Sequence, residues 1–117
     1  MAKAIEIVKP VTLEYDGTVY TLEFNRNSVM SAERAGLVIS DVQNMPANTI
    51  PLLFYSAFKM HHPTIKRAET DAILDGIGGL SISFFERLAE LYTAPTKALI
   101  HADDESCNEG KNFKISL

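Results

Sequence analysis

Residues 13–28 read LEYDGTVYTLEFNRNS, two alternating runs around an Asp-Gly pair followed by a polar stretch that can start a helix. Asp16-Gly17 tolerates the positive φ angles of a two-residue type I′ turn, so the runs on either side predict a β-hairpin. With those two residues as the loop, Tyr15 faces Thr18, Leu13 faces Tyr20 and Val11 faces Leu22. Val11, Leu13, Tyr15, Tyr20, Leu22 and Phe24 then share one apolar side. Thr12, Glu14, Thr21 and Glu23 take the other, with Val19 as the exception. A ribbon with one wet face is marginal alone in water and calls for helices to cover its apolar side.

Downstream, the chain turns helical. Asn25 or Asn27 can cap a short helix over NSVMSAERA, and Gly36 suits its left-handed end. Residues 37–48 mix apolar and turn-forming residues, with Ser40 and Gln43 at capping-box spacing for one helical turn. Thr49 is placed to cap a helix with Pro51 in its first turn, running to about His61, and Pro63 stops it. Thr64 can cap a helix over TIKRAETDAILD that ends at Gly76. Gly76, Gly78 and Gly79 form a joint before a last helix, FFERLAELYT, with a Ser83–Glu86 capping box and Pro95 after it. The stretch ADDESCNEGKN is polar and acidic, while NFKISL alternates Phe113, Ile115 and Leu117 and could add a strand to the hairpin or to another chain. The expected architecture is α+β and mostly helical, an N-terminal hairpin packed on about four helices. Residues 1–100 form one compact domain, 101–112 an acidic flexible linker, and 113–117 a C-terminal edge strand.

The helix that Thr49 starts differs from the last helix on a helical wheel. In FFERLAELYT the residues Phe84, Phe85, Leu88, Ala89, Leu91 and Tyr92 fill one arc and Glu86, Arg87 and Glu90 the rest, an ordinary surface helix. In the segment from Ile50, an inward arc of Ile50, Leu53, Phe54, Ala57, Phe58 and Met60 leaves Leu52 and Tyr55 outside it beside Ser56 and Lys59. A helix apolar nearly all round is either central to the core or covered on its second side by a partner. On the second reading Leu52, Tyr55 and Lys59 are the candidate partner-binding residues.

Composition narrows the function. A chain of 117 residues supports one modest core, and 46% hydrophobic with 22% charged residues is the balance of a soluble globular domain. A net charge of −4 disfavours a general nucleic-acid binder, which needs clustered Lys and Arg. A single cysteine, Cys107, allows no internal disulfide, the opening MAKAIEIVKP lacks a secretory signal, and PLLFYSAF is too short to span a bilayer. A cytosolic protein without a membrane role is expected.

The chemistry-bearing residues do not assemble into a known frame. His61, His62, His101 and Cys107 lack metal-ligand spacing, and GIGG at 76–79 lacks the strand and Lys-Ser or Lys-Thr of a phosphate loop. Ser, His and Asp occur without a nucleophile elbow. Cys107 sits among Asp103, Asp104, Glu105 and Glu109, which raise a thiol pKa. No catalysis, metal or cofactor is expected. KMHHPTIKR, residues 59–67, supplies Lys59, His61, His62, Lys66 and Arg67 and could serve a small nucleic-acid-binding regulator, but Glu69, Asp71 and Asp75 follow it and oppose phosphate. An interaction protein remains.

YTLEFNRNSVMSAERAG (20–36), IPLLFYSAFKMHHPTIKR (50–67) and ERLAELY (86–92) together resemble the tail assembly chaperones of long-tailed bacteriophages and prophages. The resemblance covers roughly residues 10–100. It is carried by the strand running into a capped helix that ends in Glu33, Arg34 and Gly36, by Leu53, Phe54, Ala57 and Phe58, and by the His61-His62 joint. These are fold-level likenesses, with no catalytic residue to transfer. The resemblance implies a non-enzymatic, self-associating protein of the host bacterial cytoplasm that coats the tape-measure protein and helps recruit tail-tube subunits. It implies absence from the finished virion and, in some phages, a longer product made by frameshifting.

Overall fold

The computed structural model describes residues 9–97 and 99; the predicted linker 101–112 and strand 113–117 lie outside them. β1 (Val11–Tyr15) and β2 (Thr18–Leu22) pair antiparallel in the expected register, Val11 opposite Leu22, Leu13 opposite Tyr20 and Tyr15 opposite Thr18. Asp16 at φ 52° and Gly17 at φ 81° form the turn, both left-handed as a type I′ turn requires. Four α-helices and a 3₁₀ turn follow, giving the α+β architecture read from the sequence.

Local chemistry explains most helix ends. α1 (Arg26–Arg34) is capped by Asn25, not Asn27: the Asn25 side chain accepts from the Ser28 N–H at 2.8 Å, and Ser28 Oγ accepts from the Asn25 N–H at 2.9 Å. At its other end the Gly36 N–H donates to Glu33 O and the Leu37 N–H to Ala32 O, which closes a Schellman motif with Gly36 at φ 99° and Leu37 buried. The expected turn in the loop is a 3₁₀ turn, Ile39–Val42, but Ser40 does not cap it.

Three helix starts and one helix end depart from the sequence reading. α2 (Pro46–Phe58) starts earlier than Thr49, because Pro46 takes the first helical position, where a missing N–H costs nothing. Pro51 therefore lies inside α2, and the Ala47 carbonyl it leaves without an intrahelical donor is on an exposed residue. Thr49 is buried in the helix instead of capping it. α3 (Arg67–Gly76) starts after a tight turn at His62–Ile65 that tucks half-buried Ile65 against the core, and the cap is the Glu69 carboxylate on the Lys66 N–H at 2.9 Å, not Thr64. Gly76 remains helical; Gly78 and Gly79 both have positive φ, and the Gly79 N–H is bonded to Leu74 O. A Cβ on Gly76 would overlap the Tyr15 ring, so this glycine is set by contact with the hairpin. α4 (Ile82–Lys97) is capped by Ser81, whose Oγ accepts from the Phe84 N–H at 3.1 Å, and runs through Pro95 near its C-terminus.

α2 is the centre of the packing. It lies against α1, α3, α4, β2 and the 3₁₀ turn. Phe54 and Phe58 are fully buried and stack edge-on at 5.0 Å; Phe58 also meets Tyr20 of β2, and Phe54 meets Phe84 of α4. Leu53 and Ala57 complete a core joined by Leu22, Val29, Leu88 and Leu91. Burying such side chains is worth about 1.5–3 kcal/mol each. Phe24 closes the far side against Tyr92, with ring centroids 5.2 Å apart.

Candidate functional site

The three residues picked from the sequence, Leu52, Tyr55 and Lys59, share one arc of α2 and its C-terminal cap, but they do not share an environment. Leu52 is 9% exposed and belongs to the core cluster. As a free contact residue it is a correction: α2 is covered by elements on nearly every side, so an apolar residue off the main arc still finds an intramolecular neighbour. Tyr55 and Lys59 are half-buried. One turn apart, they form a pair in which the Lys59 ammonium lies 5.3 Å from the Tyr55 ring centroid and donates to the Pro63 carbonyl at 2.7 Å. Exposed Met45 and Asn48 continue the same arc toward the start of α2, and Val38 is exposed just before the 3₁₀ turn. The accessible strip is thus an aromatic ring clamped by a cation, with methionine at one end.

Beyond α2 the basic stretch 59–67 is largely committed to internal bonds. His61 Nε2 lies 2.7 Å from Glu23 Oε1, and His62 Nε2 accepts the Thr21 main-chain N–H at 3.1 Å. Arg67 Nε donates to Asp71 at 2.9 Å. Together with the Lys59 bond, these contacts occupy polar atoms of Lys59, His61, His62 and Arg67 that phosphate recognition would otherwise use. Sequence reasoning placed the two histidines at a helix end without foreseeing this job, which is to tie the end of α2 to β2. The Ala57 carbonyl, orphaned near the helix terminus, accepts the Glu23 N–H at 3.0 Å and strengthens the same junction.

Other features supply less. A surface cleft of about 580 Å³ is open and bordered by Phe24, Asn25, Arg26, Asn27, Ala94 and Pro95. Among the described residues no group of three or more His, Cys, Asp or Glu side chains is placed to hold a metal ion; His101 and Cys107 lie outside those residues. No described helix is long and apolar enough to cross a membrane. Among the described residues, the Tyr92 phenol has its pKa pushed up by burial and secondarily by the Glu33 carboxylate.

Comparison with known proteins returns one family: the profile described as a domain of unknown function, DUF5055, matches residues 1–117. No curated protein and no solved structure matches the chain.

Proposed function

The chain belongs to the DUF5055 family, and for this member we propose the role of a phage tail assembly chaperone. It binds and shields the tape-measure protein in the host bacterial cytoplasm, helps bring tail-tube subunits to it, works as a homo-oligomer, and is not retained in the virion. The role needs neither bond chemistry nor a cofactor. Binding the unassembled partner and not the assembled tail holds that partner in solution by mass action.

The observation that supports this reading is the Tyr55–Lys59 pair on the accessible strip of α2. A tape-measure protein presents long apolar helical stripes before assembly, and a half-buried aromatic beside a cation is the kind of anchor that such helices meet in a groove. The sequence resemblance across residues 10–100 supports the tape-measure protein as the partner. Leu52 no longer belongs to the proposed surface, being core.

The test is co-expression of the long helical tape-measure candidate from the same gene cluster with and without this protein, followed by a pull-down. The partner is expected to become soluble and to co-purify, and Tyr55→Asp to weaken capture by about tenfold or more while the fold survives. A partner whose solubility is unchanged at matched expression would overturn the role. Retained capture by Tyr55→Asp would overturn the site alone.

A further inference from the structure

The two neighbouring histidines after α2 meet β2 through different chemistry. His61 Nε2 lies 2.7 Å from Glu23 Oε1, a contact in which the ring N–H donates to the carboxylate whether the imidazole is neutral or charged. His62 Nε2 instead accepts the Thr21 N–H at 3.1 Å, which only the neutral ring can do, with its own proton on Nδ1. That ring has little freedom to seek another partner. The His62 N–H donates to the Phe58 carbonyl at 2.8 Å, and its carbonyl accepts from the Ile65 N–H at 3.1 Å. Tyr20 and Phe58 flank the imidazole, with ring centroids 5.3 and 6.2 Å away. Thr21 is held as firmly, since its place opposite Thr12 turns its N–H away from β1.

We propose that His62 is a proton-operated latch between the helices and the hairpin: the neutral ring holds the Thr21 N–H, and protonation at Nε2 releases it. With a proton on Nε2 the two groups face each other donor to donor, and the bond is lost. The charges around the joint do not take its place. Glu23 of β2 is held by His61, and Lys59 donates to the Pro63 carbonyl. On α3, which packs against α2, Glu69 is turned onto the Lys66 N–H and Arg67 is paired with Asp71. Among the described residues no carboxylate is ion-paired with His62. The sign follows from the form that bonds. Histidine changes charge between about pH 8 and about pH 5, so the Thr21 bond is complete above that range and is lost as pH falls through it. The His61–Glu23 contact and the Glu23 N–H on the Ala57 carbonyl persist, so acid loosens one side of the joint and leaves the other fastened.

Amide hydrogen exchange on the full-length chain, with each rate divided by its intrinsic rate at the same pH, tests the latch. Protection of the Thr21 amide is expected to fall at least about tenfold between about pH 7.5 and about pH 5.5. The Glu23, Leu13 and Tyr20 amides, bonded to main-chain carbonyls that do not titrate, keep their protection over the same interval. Nitrogen NMR of the imidazole is expected to show an unprotonated Nε2 at the upper pH. His61→Gln should retain the Thr21 step, whereas His62→Phe should abolish it and leave that amide weakly protected throughout. Constant Thr21 protection in the unaltered protein would overturn the latch, as would a protonated Nε2 at the upper pH. A step that survives His62→Phe or disappears in His61→Gln would do the same. Equal losses at Glu23, Leu13 and Tyr20 would mark acid unfolding of the whole domain and overturn a local release.

Discussion

α2 and α4 are both rich in large apolar residues, yet the same residue types end in opposite places. Around α2, packed by three helices, a strand and the 3₁₀ turn, even Leu52 and Ser56 off the main apolar arc are buried. α4 packs against α1 and α2 and buries Leu88, Leu91 and Tyr92, but Phe84 and Phe85 stay half-buried and Ile82 is 79% exposed. An apolar residue off a helix's main stripe is therefore no sign of a docking face until the surrounding elements are counted. Off the stripe of α2, Leu52 and Ser56 complete the core, while Asn48 and Tyr55, with Met45 and Lys59 flanking the helix, keep access to solvent.

The sharpest way to break this contrast is to place the same charge on each helix. Leu52→Asp puts a carboxylate in the core and should cost about 3 kcal/mol or more, enough to unfold a marginal domain. Ile82→Asp should change stability by no more than about 0.5 kcal/mol, since the site is exposed in the first turn of α4, where negative charge is favoured. Chemical denaturation of the two variants measures both. Equal effects would mean that α2 is not the more enclosed helix.

A smaller effect probes how α2 is fastened at its end. His62→Phe retains an aromatic ring near Tyr20 and Phe58 but removes the acceptor for the Thr21 N–H, and should cost about 1 kcal/mol with faster exchange of the Thr21 amide. An unchanged Thr21 amide would show that the joint does not close the β2 edge.

The smallest expected effect lies on α4 and appears only at high pH. Burial, and then the Glu33 carboxylate, raise the Tyr92 pKa above 10.0 in the folded protein. The unfolded chain therefore ionises first, so the stability held by the neutral phenol is complete below pH 10.0 and is lost as pH rises through the folded value. Tyr92→Phe should flatten that alkaline decline in a pH series of unfolding curves. An identical decline would place the cause elsewhere.

How far these contrasts were legible depended on sequence distance. The hairpin register was readable because Asp16-Gly17 fixes it locally, and the amphipathic face of α4 because its charges mark the wet side. Helix starts were less readable. Thr49, Thr64 and Ser83 are chemically able caps, and what displaced them was Pro46 ahead of the first, the packing of Ile65 beside the second and Ser81 beside the third. Of the candidate site, the Tyr55–Lys59 spacing was visible in the chain, while the enclosure of Leu52 was not.

By itself, then, the sequence determined the features whose physics closes within a few residues. These are the left-handed pair at Asp16 and Gly17, the Asn25–Ser28 cap, and the glycine that ends α1. Sterics and short-range hydrogen bonds need no distant partner to act. Tertiary structure alone decided that Leu52 is core, that Gly76 must make room for Tyr15, and that His62 holds Thr21 from 41 residues away. Each of these rests on which surfaces the folded chain brings together, because burial and hydrogen-bond satisfaction depend on neighbours that local sequence does not specify.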